Sequence, residues 1–402
     1  MKKNNKSKIL LLCYDFPPAF GGNETYIFNL FKSLSNTGES IIVVCGSEKK
    51  GSNFKINNAS ICNSKIIRVP GFKEFCEGDG STKKILGHMS SIINNFKPDV
   101  LGTFGIMPAL IGIILKDWFK YKLIFTNCNT PNSAELTKSK QRNSFVKNNF
   151  AFNPIRKFVF SNKKIDKFVS LSEYFNSHYI EFGGDAEKSV IIYPSVNLKQ
   201  LKILSKRKEN IRKSLKINKR DFVICCPVRV VPRKRIEDII LALKHLSDSD
   251  IKLIITGLSN KIRPDYHLKI LNQIKKYKMG TNVLFKNISF THDQVLEIIA
   301  ASDMVILTSQ DEGLGICLIE ALACNTIVAA TNIPGVNEII NKNNGFLFNL
   351  GDVSQICNII KKIKGKKINF KNLIKNMNKT ISNKFSSEKE RKLIEIYRKK
   401  DE

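Results

Sequence analysis

Two glutamates eight positions apart, Glu312 and Glu320, bracket a short glycine loop, Asp311-Glu312-Gly313-Leu314-Gly315. A buried-strand pattern precedes the loop, and a helical pattern, Ile316 to Ala323, begins directly after it. Such a junction aims free backbone N–H groups and the positive end of a helix at an anion, and glycine lets the anion come close. Glu312 is then held in the loop, while Glu320 lies over a turn into the helix, so two carboxylates flank one anion site. Taken singly, Glu312 reads as a helix-capping acid and Glu320 as a solvated helix residue. Together they match a nucleotide-diphosphate sugar: the diphosphate takes the helix start, and the hydroxyl pairs of sugar and ribose each want a carboxylate acceptor.

Arg229 follows a strand pattern over Phe222 to Val228, and Lys234 comes five residues later, before a helix. Both are expected at the strand's carboxyl edge, where two cations can neutralise charge on a departing diphosphate without a metal. Arg233 and Arg235 are read as peripheral. Gly21-Gly22 before the first helix is a second close-approach loop, with Glu24 favouring the helix start. Asp248-Ser249-Asp250 has the form of a metal-binding acid pair, but it falls in a polar turn ahead of the strand that follows, so no metal site is assigned to it.

The elements that must position these residues alternate. Strands are expected at Ile9 to Tyr14, Ser40 to Cys45, Ile66 to Val69, Val100 to Phe104, Lys122 to Thr126 and Lys167 to Leu171, with a helix at Asn23 to Leu34. After Tyr193-Pro194-Ser195-Val196-Asn197 and a lysine-rich helical stretch, the alternation restarts. Strands are expected at Phe222 to Val228, Lys252 to Thr256, Val283 to Phe285, Met304 to Leu307 and Ile327 to Ala330, with helices at Arg235 to Leu246, Asp293 to Ala300 and Ile316 to Ala323. Alternation of this kind builds parallel sheets covered by helices. The fold class is therefore α/β, with two Rossmann-like domains at 1–197 and 198–380, and a terminal segment, 381–402, whose amphipathic helix returns to the first domain.

The chain has 402 residues, 42% hydrophobic, enough for two cores. A net charge of +31 suits an anionic membrane surface or a phosphorylated substrate; it is also what a lysine-, asparagine- and isoleucine-rich composition produces by itself. No nucleic-acid-binding module accompanies it, so a nucleic-acid partner is not expected. Ten cysteines show no CxxC pair and read as free thiols of a reducing cytoplasm. The apolar run Val100 to Leu115 contains Pro108 and three glycines and is too short to span a bilayer. A cytoplasmic protein, or one at the inner face of the membrane, is expected. The stretch Arg142 to Lys164 mixes five phenylalanines with lysine and arginine, which suits either an interfacial helix or a helix buried in the first core.

The same residues carry a resemblance. Phe16-Pro17-Pro18 with Gly21-Gly22, Tyr193 to Asn197, Val228-Arg229-Val230-Val231-Pro232-Arg233-Lys234, the Glu312 to Ala323 segment, Pro334-Gly335-Val336-Asn337-Glu338 and Ile396-Tyr397 resemble the retaining glycosyltransferases of family 4. That resemblance implies a GT-B fold, two Rossmann-like domains around a cleft, and transfer of a hexose from a UDP- or GDP-sugar to a glycan or lipid-linked acceptor, with retention and without a metal or other cofactor. It implies that Arg229 and Lys234 hold the donor diphosphate, that Glu312 takes the sugar hydroxyls and Glu320 the ribose, and that Gly313, Leu314, Gly315 and Ile316 give backbone contacts. Asn287 and Ile288 would lie at the base; Gly21 and Gly22 would approach the phosphate or acceptor. The chain departs from the family in the loop after the strand Val100 to Phe104, where one histidine is usual and Gly102 and Phe104 stand at the matching positions, near Thr126 to Cys128, where another is frequent and Asn127 and Cys128 stand, and at Asn325, where glycine is frequent. A protein that binds a nucleotide sugar without turning it over, and a GT-B epimerase or phosphorylase, are the alternative readings.

Overall fold

The computed structural model describes residues 6–17, 21–46, 64–78, 81–127, 149–257, 263–285, 290–385 and 387–398. The chain forms two compact units, Met1–Ser195 with Ser387–Glu402, and Val196–Ser386.

The first unit is built on seven parallel strands: β1 (Lys8–Cys13), β2 (Ser40–Gly46), β3 (Ser64–Val69), β4 (Val100–Phe104), β5 (Lys122–Thr126), β6 (Lys167–Ser170) and β7 (Ser189–Ile191). Their order is β3-β2-β1-β4-β5-β6-β7. β1, β4 and β5 carry runs such as Leu10-Leu11-Leu12 and Val100-Leu101 that are buried almost throughout, as central parallel strands covered on both faces require. The register aligns Cys13 with Phe104 and Phe104 with Thr126. The apolar stretch from Val100 is strand, turn and helix, the helix being Ile106–Leu115. Helix Ser387–Tyr397 belongs to this unit, and its Tyr397 is wholly buried, its ring 2.5 Å from where a Cβ on Gly102 would stand. Gly102 therefore lies inside β4 as the seat for that tyrosine.

The second unit repeats the plan with β8 (Phe222–Cys226), β9 (Ile251–Ile255), β10 (Val283–Phe285), β11 (Met304–Leu307), β12 (Ile327–Thr331) and β13 (Phe346–Phe348), in the order β10-β9-β8-β11-β12-β13, again parallel. The order reverses between β8 and β11. A doubly wound sheet opens a crevice at the carboxyl ends of the two strands flanking that reversal. The edge strands β7 and β13, three residues each, were not expected from the sequence. β8 ends at Cys226, earlier than expected: Pro227 has no N–H to continue a ladder.

Candidate active site

The two loops that leave the crevice strands of the second unit are the ones carrying Lys234 and Glu312. Pro232–Lys234 forms a single 3-10 turn after β8, and Ser309 to Gly315 follows β11. Hydrogen bonds stitch the loops together: Gln310 N–H to Arg233 O at 2.8 Å, Arg233 Nη1 to Asp311 O at 3.0 Å, and Thr308 Oγ1 to Lys234 O at 2.8 Å. Arg233, expected to be peripheral, thus bonds the glutamate loop directly, because the turn at Pro232 directs it along the neighbouring loop and away from solvent. Arg235 instead pairs with Asp238, at 2.7 Å.

Between the stitched loops, Lys234 Nζ forms a salt bridge with Glu312 Oε1, and Ser309 Oγ donates to the same oxygen at 2.6 Å. Both charged side chains are about nine-tenths buried. Burial pushes the Lys234 ammonium below its ordinary range, against the attraction of Glu312. Burial also works to raise the Glu312 carboxyl, but the charges of Lys234 and Arg233, with the hydrogen bonds from Lys234 and Ser309, outweigh it and hold Glu312 below its ordinary value. Arg229 differs: its side chain is exposed, with no ion-pair or hydrogen-bond partner among the described residues. One buried, paired cation and one open cation leave the same strand. Beneath them, burial pushes the Cys226 thiol up to about 12 and the Cys317 thiol higher still, so neither is a nucleophile at neutral pH.

Helix Ile316–Ala323 starts at Gly315, whose φ of 81° is left-handed, and no side chain caps it. Its first N–H groups thus face the crevice end with the dipole's positive pole. Leu314 is buried, so its side chain serves the core and only its backbone is available. Burial raises the Cys317 thiol, and the charges of Glu312 and Glu320 add to that rise. Glu320 is buried, with His292 Nε2 at 3.2 Å from Oε1.

Two glycines allow these loops to approach. A Cβ on Gly335, whose φ is 83°, would stand 2.5 Å from Gly313 O and 2.6 Å from Glu312 O. A Cβ on Gly257 would stand 1.8 Å from Val228 O. Asn325 takes φ 59° after the helix, a conformation asparagine accepts.

Residues 207–395 match the family model described as glycosyl transferases group 1. That match spans just under half of the chain, which over this stretch is similar to the group 1 glycosyl transferases. Among relatives of the chain, the N-acetyl-alpha-D-glucosaminyl L-malate synthase of Bacillus anthracis is 29% identical over 159 residues, 39% of each chain. The chain spans about two fifths of the length of the first curated relatives it matches. Among solved structures, sucrose-phosphate synthase from Thermosynechococcus elongatus superimposes with a TM-score of 0.81 at 19% identity, covering 98% of both chains. Anabaena HepE in complex with UDP-glucose gives 0.76 at 18% identity, over 97% of this chain and 98% of that one. The fold is accordingly GT-B, two Rossmann-like parallel sheets.

The remaining sequence-based candidates are placed as follows. Asn287 and Ile288 lie outside the described residues. Gly21 and Gly22 are in the first unit, where Gly21 is extended and Gly22 opens helix Gly22–Asn36 without a side-chain cap. Asp248 pairs with Lys364 and lies ahead of β9, at the amino end of that strand. Ser309 and His292 were missed. Ser309 carried no signal beyond standing three residues before Glu312. His292 did: Thr291 and Gln294 form a capping box that fixes the helix start holding it.

Proposed function

We propose that the chain transfers a hexose from a UDP- or GDP-sugar to a hydroxyl of a glycan or lipid-linked acceptor, with retention and without a metal. The observation that carries this reading is the buried Lys234 and Glu312 pair at the strand-order reversal, beside an uncapped helix start and an open Arg229. The diphosphate would take the helix start and Arg229, and draw on Lys234; Glu312 would accept from the sugar hydroxyls and Glu320 from the ribose. In the reaction, the bond from the anomeric carbon to the diphosphate oxygen breaks and one to the acceptor oxygen forms. The acceptor's proton leaves on the diphosphate. Arg229 and Lys234 offset the charge that this step delivers to the leaving group, the kind of stabilisation that does most in a site prepared in advance. On the first unit, Glu24 is buried in the first turn after Gly21-Gly22, and its Oε2 has no hydrogen-bond partner among the described residues. That oxygen is suited to an acceptor hydroxyl.

Calorimetric titration of the full chain with UDP-glucose, UDP-N-acetylglucosamine and GDP-mannose tests the reading. At least one should bind, and Arg229→Ala should weaken it by about tenfold or more, as loss of a charge-assisted contact does. Binding of none, or binding indifferent to Arg229, overturns it. Donor binding without transfer to any acceptor would favour the binding-only alternative.

The first unit also offers a surface for an anionic membrane. Trp118 is 69% exposed and Phe158 52% exposed. Lys164 pairs with Asp117, joining the turn that holds Trp118 to the turn after helix Asn149–Phe160, while Lys120, Lys157 and Lys163 are exposed around them. Of the expected interfacial phenylalanines, Phe160 is instead core, packed on Phe125 and Phe168; Phe145 lies outside the described residues. No helix among the described residues is long and apolar enough to cross a membrane. Trp118 is the chain's single tryptophan, so its fluorescence reports on this face alone. It should shift to shorter wavelength with phosphatidylglycerol vesicles but not with phosphatidylcholine ones. Lys157→Gln with Lys163→Gln should lower vesicle affinity about thirtyfold, at about 1 kcal/mol per cation. An unmoved emission maximum would remove the membrane from the proposal.

A further inference from the structure

We infer that His292 is a positioning residue for Glu320, and that through Glu320 it sets the preference for a ribose over a deoxyribose nucleotide. The inference rests on the reading that Glu320 takes the donor's ribose.

Glu320 is a buried carboxylate, its side chain 6% exposed. Its two oxygens offer about four acceptor sites, yet its one polar side-chain contact among the described residues is His292 Nε2, 3.2 Å from Oε1. One oxygen is therefore held from the protein side, and Oε2 has no partner among the described residues. A carboxylate can only accept, so the contact is favourable with the hydrogen on Nε2, whether the imidazole is neutral or charged. Without it, the last torsion of the glutamate is broad and nearly two-fold, and both oxygens sweep across the site.

His292 is itself well anchored. It is the first residue of helix His292–Ala301, fixed by Thr291 Oγ1 accepting from Gln294 N–H at 3.3 Å and Gln294 Oε1 accepting from Thr291 N–H at 2.9 Å. Next to it, Asp293 accepts from Gln200 Nε2 at 2.8 Å. The far end of the helix is tied by Arg212 Nη1 to Ala301 O at 3.0 Å, and Thr326 Oγ1 to Ile299 O at 2.9 Å joins it to the turn leaving Glu320's own helix. The imidazole and the carboxylate thus come from two helices locked to one another, which is what a fixed hydroxyl acceptor requires. The ring is 37% exposed, so it does not depend on burial for its own place.

A site built to hydrogen-bond a hydroxyl rejects the analogue that lacks it, because the buried acceptor is then unpaired. A freely turning carboxylate discriminates less, since it gains less from the hydroxyl at the outset. The test is calorimetric titration of the full chain with UDP and GDP, each against its 2′-deoxy form. The native protein should prefer the ribose form of whichever base it binds, by about tenfold or more. His292→Leu should weaken the ribonucleotide by about tenfold, leave the deoxynucleotide nearly unchanged, and raise the donor KM without lowering kcat. His292→Gln, which keeps an N–H donor, should recover part of the preference, and it serves also if the leucine variant fails to fold. Glu320→Gln should show the same collapse as His292→Leu. Equal weakening of ribose and deoxyribose forms in His292→Leu, or an unchanged ratio, overturns the inference while leaving the donor reading intact. Failure of the native protein to bind either nucleotide overturns both.

Discussion

Lys234→Met should lower the unfolding free energy by about 3–5 kcal/mol and abolish sugar transfer, whereas Lys234→Met combined with Glu312→Leu should recover most of the stability and none of the activity. Both partners are about nine-tenths buried. Desolvating two charges offsets much of what their attraction contributes, so the pair adds little net stability compared with two apolar side chains of similar size. Removing one partner is different. It leaves Glu312 charged and buried, with Ser309 the one remaining hydrogen-bond donor among the described residues to the oxygen that Lys234 held. The methionine variant must therefore suffer more than the double variant, an ordering opposite to that of ordinary core truncations. Urea denaturation read by circular dichroism, beside a transfer assay, checks both halves. A double variant at least as unstable as the single one would mean that the pair is a stability device, and the case for its retention as a functional site would collapse. The acid limb gives a second check. Glu312 has its folded pKa below the ordinary value of 4.5. Its contribution is thus present above that pH and is lost as pH falls toward the folded value, so the double variant should lack that part of the acid loss.

That pair also shows what the sequence makes legible. The carboxylate loop and the two cations are visible because strand, glycine loop and helix are local patterns, set by which residues can be buried on both faces and which cannot. Their meeting is not local. Lys234 and Glu312 are 78 residues apart, and only the order β10-β9-β8-β11-β12-β13 brings the ends of β8 and β11 side by side. Even so, the separate expectation that each sits at a strand's carboxyl edge was enough to suggest a shared anion. What could not be read was the direction of each cation: Arg229 open, Lys234 turned inward, Arg233 spent on the backbone of the glutamate loop. Those orientations depend on the 3-10 turn at Pro232, a three-residue feature with no periodicity to detect. Gly102 depends on a similarly distant contact: its lack of a side chain is explained by Tyr397, almost three hundred residues away, whose ring occupies the space.

Gly335→Ala should reduce transfer by about a hundredfold or more while leaving a folded protein, an effect out of proportion to one methyl group. The methyl would meet two carbonyl oxygens, those of Gly313 and Glu312, at 2.5 and 2.6 Å, and neither is the flexible end of a side chain that could swing away. The left-handed φ of 83° adds about 1–2 kcal/mol for any residue with a Cβ. The contact can relax only by moving the glutamate loop as a whole, and displacement of a reacting group by about 1 Å is sufficient for a loss of that size. Gly257→Ala is the companion measurement. Its methyl would fall 1.8 Å from Val228 O, on the loop that carries Arg229. If Glu312 serves the sugar and Arg229 the diphosphate, Gly335→Ala should depress kcat more than it raises the KM for the donor, and Gly257→Ala should also weaken binding of the free nucleoside diphosphate. Wild-type turnover in Gly335→Ala would detach the glutamate loop from the chemistry. Identical losses in the two variants would mean that the loops move as one body and that their residues share a single task.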